Sequence, residues 1–172
     1  MNFFHFLKQK TKRTSPFTIN NLTLLIDLVI NKADADKLKN FLNIQSSFTQ
    51  KVEFHSQEIM DFMVAESICF YGIFDWKECS KELDYFIRKA LKQNFDTEIN
   101  SDFLDNINDT SLIGNVYKLY GVELQNQGIT LCNIDTGSDS YTILLIRTEN
   151  YTTLQACVKE IGYVVQDYTM EW

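Results

Sequence analysis

Proline occurs once and histidine twice in 172 residues, and no cysteine pair is spaced Cys-x-x-Cys. Each shortage removes a chemistry. The imidazoles are His5 and His55, and the cysteines Cys69, Cys79, Cys132 and Cys157 stand singly. No zinc ligand set is spelled out, so no metal is expected. Cysteines lying in apolar runs of a chain this long read as reduced, buried thiols rather than a disulfide scaffold. There are 6 glycines, with no Gly-rich phosphate loop among them. Neither a Ser-His-Asp nor a Cys-His arrangement has plausible context, so no catalytic residue and no cofactor is expected. No stretch approaches the roughly 20 apolar residues of a spanning helix, which predicts no integral membrane association. The opening MNFFHFLKQKTKR does not read as a signal peptide, because its apolar stretch ends at Leu7 and the charges follow it. Asn-x-Thr triplets at Asn21, Asn108 and Asn150 need no glycan in a chain rich in both residues. The expectation is a cytoplasmic protein of bacterial type.

What is present is a core. Apolar residues make up 45% and charged residues 23%, as in a soluble globular domain, and 13 Phe with 8 Tyr point to an aromatic-rich interior. The net charge is −7, while Lys8, Lys10, Lys12 and Arg13 give the first 13 residues +4; the remainder therefore carries −11. An acidic body repels phosphate backbones, which excludes general nucleic-acid binding and suits a basic protein partner.

Residues 1–19 read as an arm: Phe3, Phe4, Phe6 and Leu7, then the basic run, then Ser15-Pro16 as a boundary. Such an arm either docks its phenylalanines on the core or rests on an acidic membrane. Residues 20–172 read as a single domain. Leu22, Leu25, Ile26, Val29 and Ile30 follow a helical stripe, with Asn20 or Asn21 as its cap. Further helices are expected around Leu38, Phe41 and Leu42, and from Gln57 through Ile59, Met60, Met63 and Val64. SICFYGIFDW, Ser67 to Trp76, reads as a buried strand. A helix follows with Cys79, Leu83, Phe86, Ile87, Ala90 and Leu91 on its buried face, then another over 110–125 using Leu112, Ile113, Val116, Leu119 and Tyr120. Two β-rich runs, GITLCNI and YTILLI, flank DTGSDS as a hairpin near 129–134 and 141–146. An amphipathic helix with Leu154, Cys157, Val158 and Ile161 ends at Gly162, and YVVQDY is a last strand. The fold class is α+β: one mostly antiparallel sheet, a C-terminal hairpin–helix–strand unit, helices packed on the sheet and a helical N-terminal region.

Asp135-Thr136-Gly137 spells the signature of aspartic proteases. That chemistry needs two carboxylates sharing a proton. A retroviral-type subunit also needs a glycine-rich flap after the motif, yet only 35 residues follow Gly137 and Gly162 is the sole later glycine. No second Asp-Thr/Ser-Gly supplies a two-lobed enzyme. A polar hairpin loop explains the letters, since Asp and Ser satisfy loop N–H groups and Gly takes positive φ. A calcium loop fails because Asp135 and Asp139 are four apart with Gly137 misplaced. As a binding loop it would offer Asp135, Ser138, Asp139 and Tyr141. The other candidate is FDWKE, Phe74 to Glu78, at a strand-to-helix turn. There Asp75 reads as a ligand or a base, Glu78 as a further binding residue and Trp76 as a pocket wall; the plainer reading has Asp75 capping the helix and Trp76 on the sheet rim.

GIFDWKE at 72–78, together with LCNIDTGSDSYTILLI at 131–146 and the helix after it, resembles a bacterial family catalogued only as a domain of unknown function. Its members carry an Asp-Trp-Lys-like block and a C-terminal Asp-Thr-Gly-x-Asp-Ser-Tyr-like block. The likeness covers about 68–168 and draws nothing from the first 66 residues. It implies a cytoplasmic bacterial α+β domain and transfers no catalytic residue.

The reading is a small acidic non-enzymatic interaction module, with an immunity protein against a basic toxin as its sharpest form. The alternative is a ligand-binding or hydrolytic protein using an acidic cluster of Asp75, Asp135 and Asp139. The sequence leaves oligomeric state open.

Overall fold

The computed structural model describes residues 19–48, 56–75, 80–99, 113–135, 140–160 and 163–167. The basic arm, Cys79, Ile161 and Gly162 lie outside them, as do the ends of several predicted elements.

Helix α1, Ile19–Val29, buries Leu22, Leu25, Ile26 and Val29, the stripe its spacing predicts. Because the helix already includes Ile19, Asn20 and Asn21 lie inside it and neither is its cap. The clear cap belongs to the next helix. Asn31 precedes α2, Lys32–Phe48; its Oδ1 accepts the Asp34 N–H at 3.1 Å while its Nδ2 donates to Asp34 Oδ2 at 2.7 Å. Helix α2 buries Ala35, Leu38 and Leu42, and α3, Ser56–Ala65, buries Ile59 and Met63. Phe41 of α2 stacks on Phe62 of α3 with centroids 4.2 Å apart.

The strand predicted over 67–76 is shorter than expected: β1 is Gly72–Asp75. Ile68, Cys69, Phe70 and Tyr71 are all buried, as an apolar run demands. Their segment is nevertheless a connector, because side chains satisfy carbonyls that a neighbouring strand would otherwise take. Gln93 Nε2 donates to Ser67 O at 2.9 Å and Asn94 Nδ2 to Cys69 O at 2.7 Å. Both amides sit near the end of α4, Ser80–Phe95, whose Leu83, Ile87, Ala90 and Leu91 are buried.

Helix α5, Ile113–Gln125, buries the predicted Ile113, Val116 and Tyr120, but Tyr117 and Leu124 join them in place of Leu119, which is 44% exposed. Tyr117 takes the inward place because its hydroxyl finds Leu131 O at 3.0 Å and Gln166 O at 3.2 Å. Gly128, at φ +70, then reverses the chain into β2.

Strands β2, Ile129–Asp135, and β3, Ser140–Arg147, pair antiparallel from Ile129↔Arg147 to Asn133↔Ile143, which is the predicted hairpin. A short 3-10 turn at Thr148–Asn150 leads into α6, Tyr151–Glu160, with Leu154, Cys157 and Val158 buried. Strand β4, Val164–Asp167, closes the sheet in the order β1-β3-β2-β4, every pair antiparallel.

Strand alternation divides the core in two. Cys132, Ile134, Leu144, Ile146 and Val165 face a layer made by α1, α2, α3 and α6. Phe74, Ile129, Leu131, Ile143 and Leu145 face α4 and α5. The α+β class with helices on the sheet is therefore the architecture observed.

Candidate functional site

The acidic candidates meet at one end of the sheet. Strand β1 runs to Asp75 opposite Ser140, the first residue of β3, and β2 runs to Asp135 opposite Val164, the first residue of β4. Antiparallel pairing thus brings Asp75 and Asp135 to the same end, and both are exposed. It does not bring them to the same face. Asp75 is two residues beyond Ile73, which packs on the α1–α3 side, while Asp135 shares its side with Leu131 under α5. The candidates Trp76, Glu78, Ser138 and Asp139 lie outside the described residues.

Tyr141 stands beside Phe74 in the β1–β3 register and packs half-buried against the α4/α5 core. A Cβ placed on Gly114 would lie 3.5 Å from the Tyr141 hydroxyl, so the first turn of α5 covers that side chain. The site is therefore an acidic rim with a tyrosine tucked beneath one side, rather than a pocket around a shared proton.

Sequence reasoning passed over Asn133. It is buried in β2 at 4% exposure; its Oδ1 accepts the Thr142 N–H at 2.9 Å and its Nδ2 donates to Gln166 Oε1 at 3.4 Å. The available signal was a lone amide inside the apolar run ITLCNI.

The described thiols are poor nucleophiles. Cys69, Cys132 and Cys157 are buried thiols. Burial pushes all three above the ordinary thiol value, and the nearby Asp167 carboxylate raises Cys132 further. Among the described residues no group of three or more His, Cys, Asp or Glu side chains is placed to hold a metal ion. No described helix is long and apolar enough to cross a membrane. What the rim offers chemically is carboxylate oxygens to donors arriving from outside.

No curated protein and no solved structure matches the chain. A family model does match, over residues 22–168. The match spans α1 from Leu22 onward, α2 and α3 as well as the residues of the two sequence blocks, so the likeness is wider than the 68–168 read from those blocks. The chain belongs to the family described as domain of unknown function DUF6630.

Proposed function

We propose that the protein is a non-enzymatic interaction module that presents the acidic end of its sheet to a basic protein partner. A cytoplasmic bacterial immunity protein neutralising a basic toxin is the specific form of this reading. The observation that carries it is the convergence of exposed Asp75 and Asp135 on one sheet end, in a chain body of charge −11. Charge gathered at one place steers a basic partner during encounter and acts mainly on association rate. The opposite-face placement of the two carboxylates weighs against their sharing a proton as a hydrolytic pair.

The test is the association rate with a partner isolated by affinity capture, measured against salt. The rate should fall as the Debye length shrinks below about 8–10 Å. Asp135→Lys and Asp139→Lys should each slow association while the thermal midpoint barely moves. A rate indifferent to salt and to both reversals would leave the acidic charge as a solubility feature and end the capture reading.

A further inference from the structure

Asn133 is the only Asn or Gln that is buried among the described residues, and its neighbours along β2 are Cys132 and Ile134. Burying an amide without partners is costly, because its donors and acceptor lose water and gain nothing. Here both ends are engaged, and in opposite directions. The Thr142 N–H can only donate, so the oxygen of the Asn133 amide faces β3; the nitrogen faces Gln166 on β4. One side chain therefore ties β2 to both of its neighbours.

The pairing pattern changes at this residue. The β2–β3 register stops at Asn133↔Ile143. Beyond it β2 continues with β4 to Asp135↔Val164, and β3 continues with β1 to Asp75↔Ser140. In an uninterrupted ladder the next two pairs would be Ile134 with Thr142 and Asp135 with Tyr141, and the Thr142 N–H would be given to the Ile134 carbonyl.

We propose that Asn133 is a positioning residue that forks the sheet. By accepting the Thr142 N–H in place of the backbone and holding Gln166, it sends Asp135 away with β4 and leaves Asp75 with β3. The fork then sets the spacing of the two carboxylates that meet a basic partner, a consequence that rests on the function proposed above. The fork itself does not depend on any partner.

The test uses the full chain, isotopically labelled, in solution. A scalar coupling across the hydrogen bond should join the Thr142 amide nitrogen to the Asn133 side-chain carbonyl carbon. Coupling to the Ile134 backbone carbonyl instead would overturn the proposal. In Asn133→Val, which keeps a strand-forming shape but has no acceptor, the ladder should extend. A contact between the Hα atoms of Asp135 and Tyr141, absent in the parent, should then appear. Asn133→Asp keeps the acceptor, and should keep the fork and the parent Thr142 amide shift. A fork unchanged in Asn133→Val would refute the role; if that variant does not fold, the coupling in the parent protein decides. None of these readouts involves binding, so they stand or fall separately from the capture experiment. Should the fork hold and association prove independent of salt, the structural role survives and only the partner surface is lost.

Discussion

Under α1, α2, α3 and α6 the face of the sheet meets helix stripes that are aliphatic, α1 alone contributing Leu22, Leu25, Ile26 and Val29, with Phe70, Tyr71 and Tyr163 supplied from outside the helices. Under α4 and α5, two of the largest fully buried groups are Tyr117 and Tyr120, each anchored by its hydroxyl. Tyr117 reaches carbonyls on β2 and β4, and Tyr120 bonds the Asp84 carboxylate. Asp84 also receives Arg88 Nε at 2.8 Å, and Arg88 Nη1 reaches Ile99 O at 3.2 Å. Non-directional burial fixes which side of a helix turns inward, and many packings satisfy it nearly as well. Hydroxyl bonds fix one position of the helix along the strand, because a buried donor or acceptor left unmet is costly. The α4/α5 face is therefore registered by directional bonds as well as by burial.

The largest expected effect is alkaline unfolding. Burial pushes Tyr151 and Tyr163 up to about 12, and raises Tyr71, Tyr117 and Tyr120 further. Unfolded tyrosine ionises near about 10. A raised folded value means the native state holds its protons more tightly, so stability is fully present below about pH 10 and falls as pH climbs through 12. Tyrosinate absorbance should lag in the folded protein and then rise together with loss of circular dichroism. Independent titration of all tyrosines near 10 in a folded chain would contradict the burial described.

Next in size is truncation on the aliphatic face. Leu38→Ala, at a fully buried site, should cost about 2–5 kcal/mol in denaturant unfolding. On the other face Tyr117→Phe leaves volume almost unchanged and removes only the hydroxyl. A loss of about 1–3 kcal/mol would show that directional bonds hold α5 to the sheet; no loss would collapse the contrast between the faces. Gly72→Ala should cost a similar amount, about 1–3 kcal/mol, by overpacking. Its Cβ would fall 2.5 Å from Phe74 Cε2 and 3.2 Å from Phe86, so the Phe74 ring must swing aside. The smallest effect belongs to the surface: Lys92, paired with Asp96 at 3.3 Å and Glu98 at 3.1 Å in full solvent exposure, should be replaceable by Ala with no measurable change in midpoint.

Elements on the aliphatic face were the more legible in the sequence, because helix stripes of Leu, Ile and Val carry their own period. Helix α1 is the clearest case. On the α4/α5 face the helical period places Ile113, Val116 and Tyr120 correctly but favours Leu119 over Tyr117, since hydrophobicity ranks Leu above Tyr and cannot see that β2 and β4 offer carbonyls. The connector at Ile68–Tyr71 misled for a related reason. Its burial was readable, but whether a buried backbone pairs with a strand or with Gln93 and Asn94 is settled some 25 residues away.

The sequence by itself determined an α+β class with an antiparallel sheet, its hairpin and the apolar faces of most helices, because periodicity and turn residues act over a few positions. It also determined that the body is acidic. Only the tertiary structure decided that Asp75 and Asp135 share one end of the sheet yet lie on opposite faces. That outcome follows from strand order and register, which bring residues 60 apart in the chain level with one another. Only the tertiary structure, too, gave Asn133 its place between three strands. An amide in an apolar run is a cost when read alone, and becomes a tie when Thr142 and Gln166 arrive to meet it.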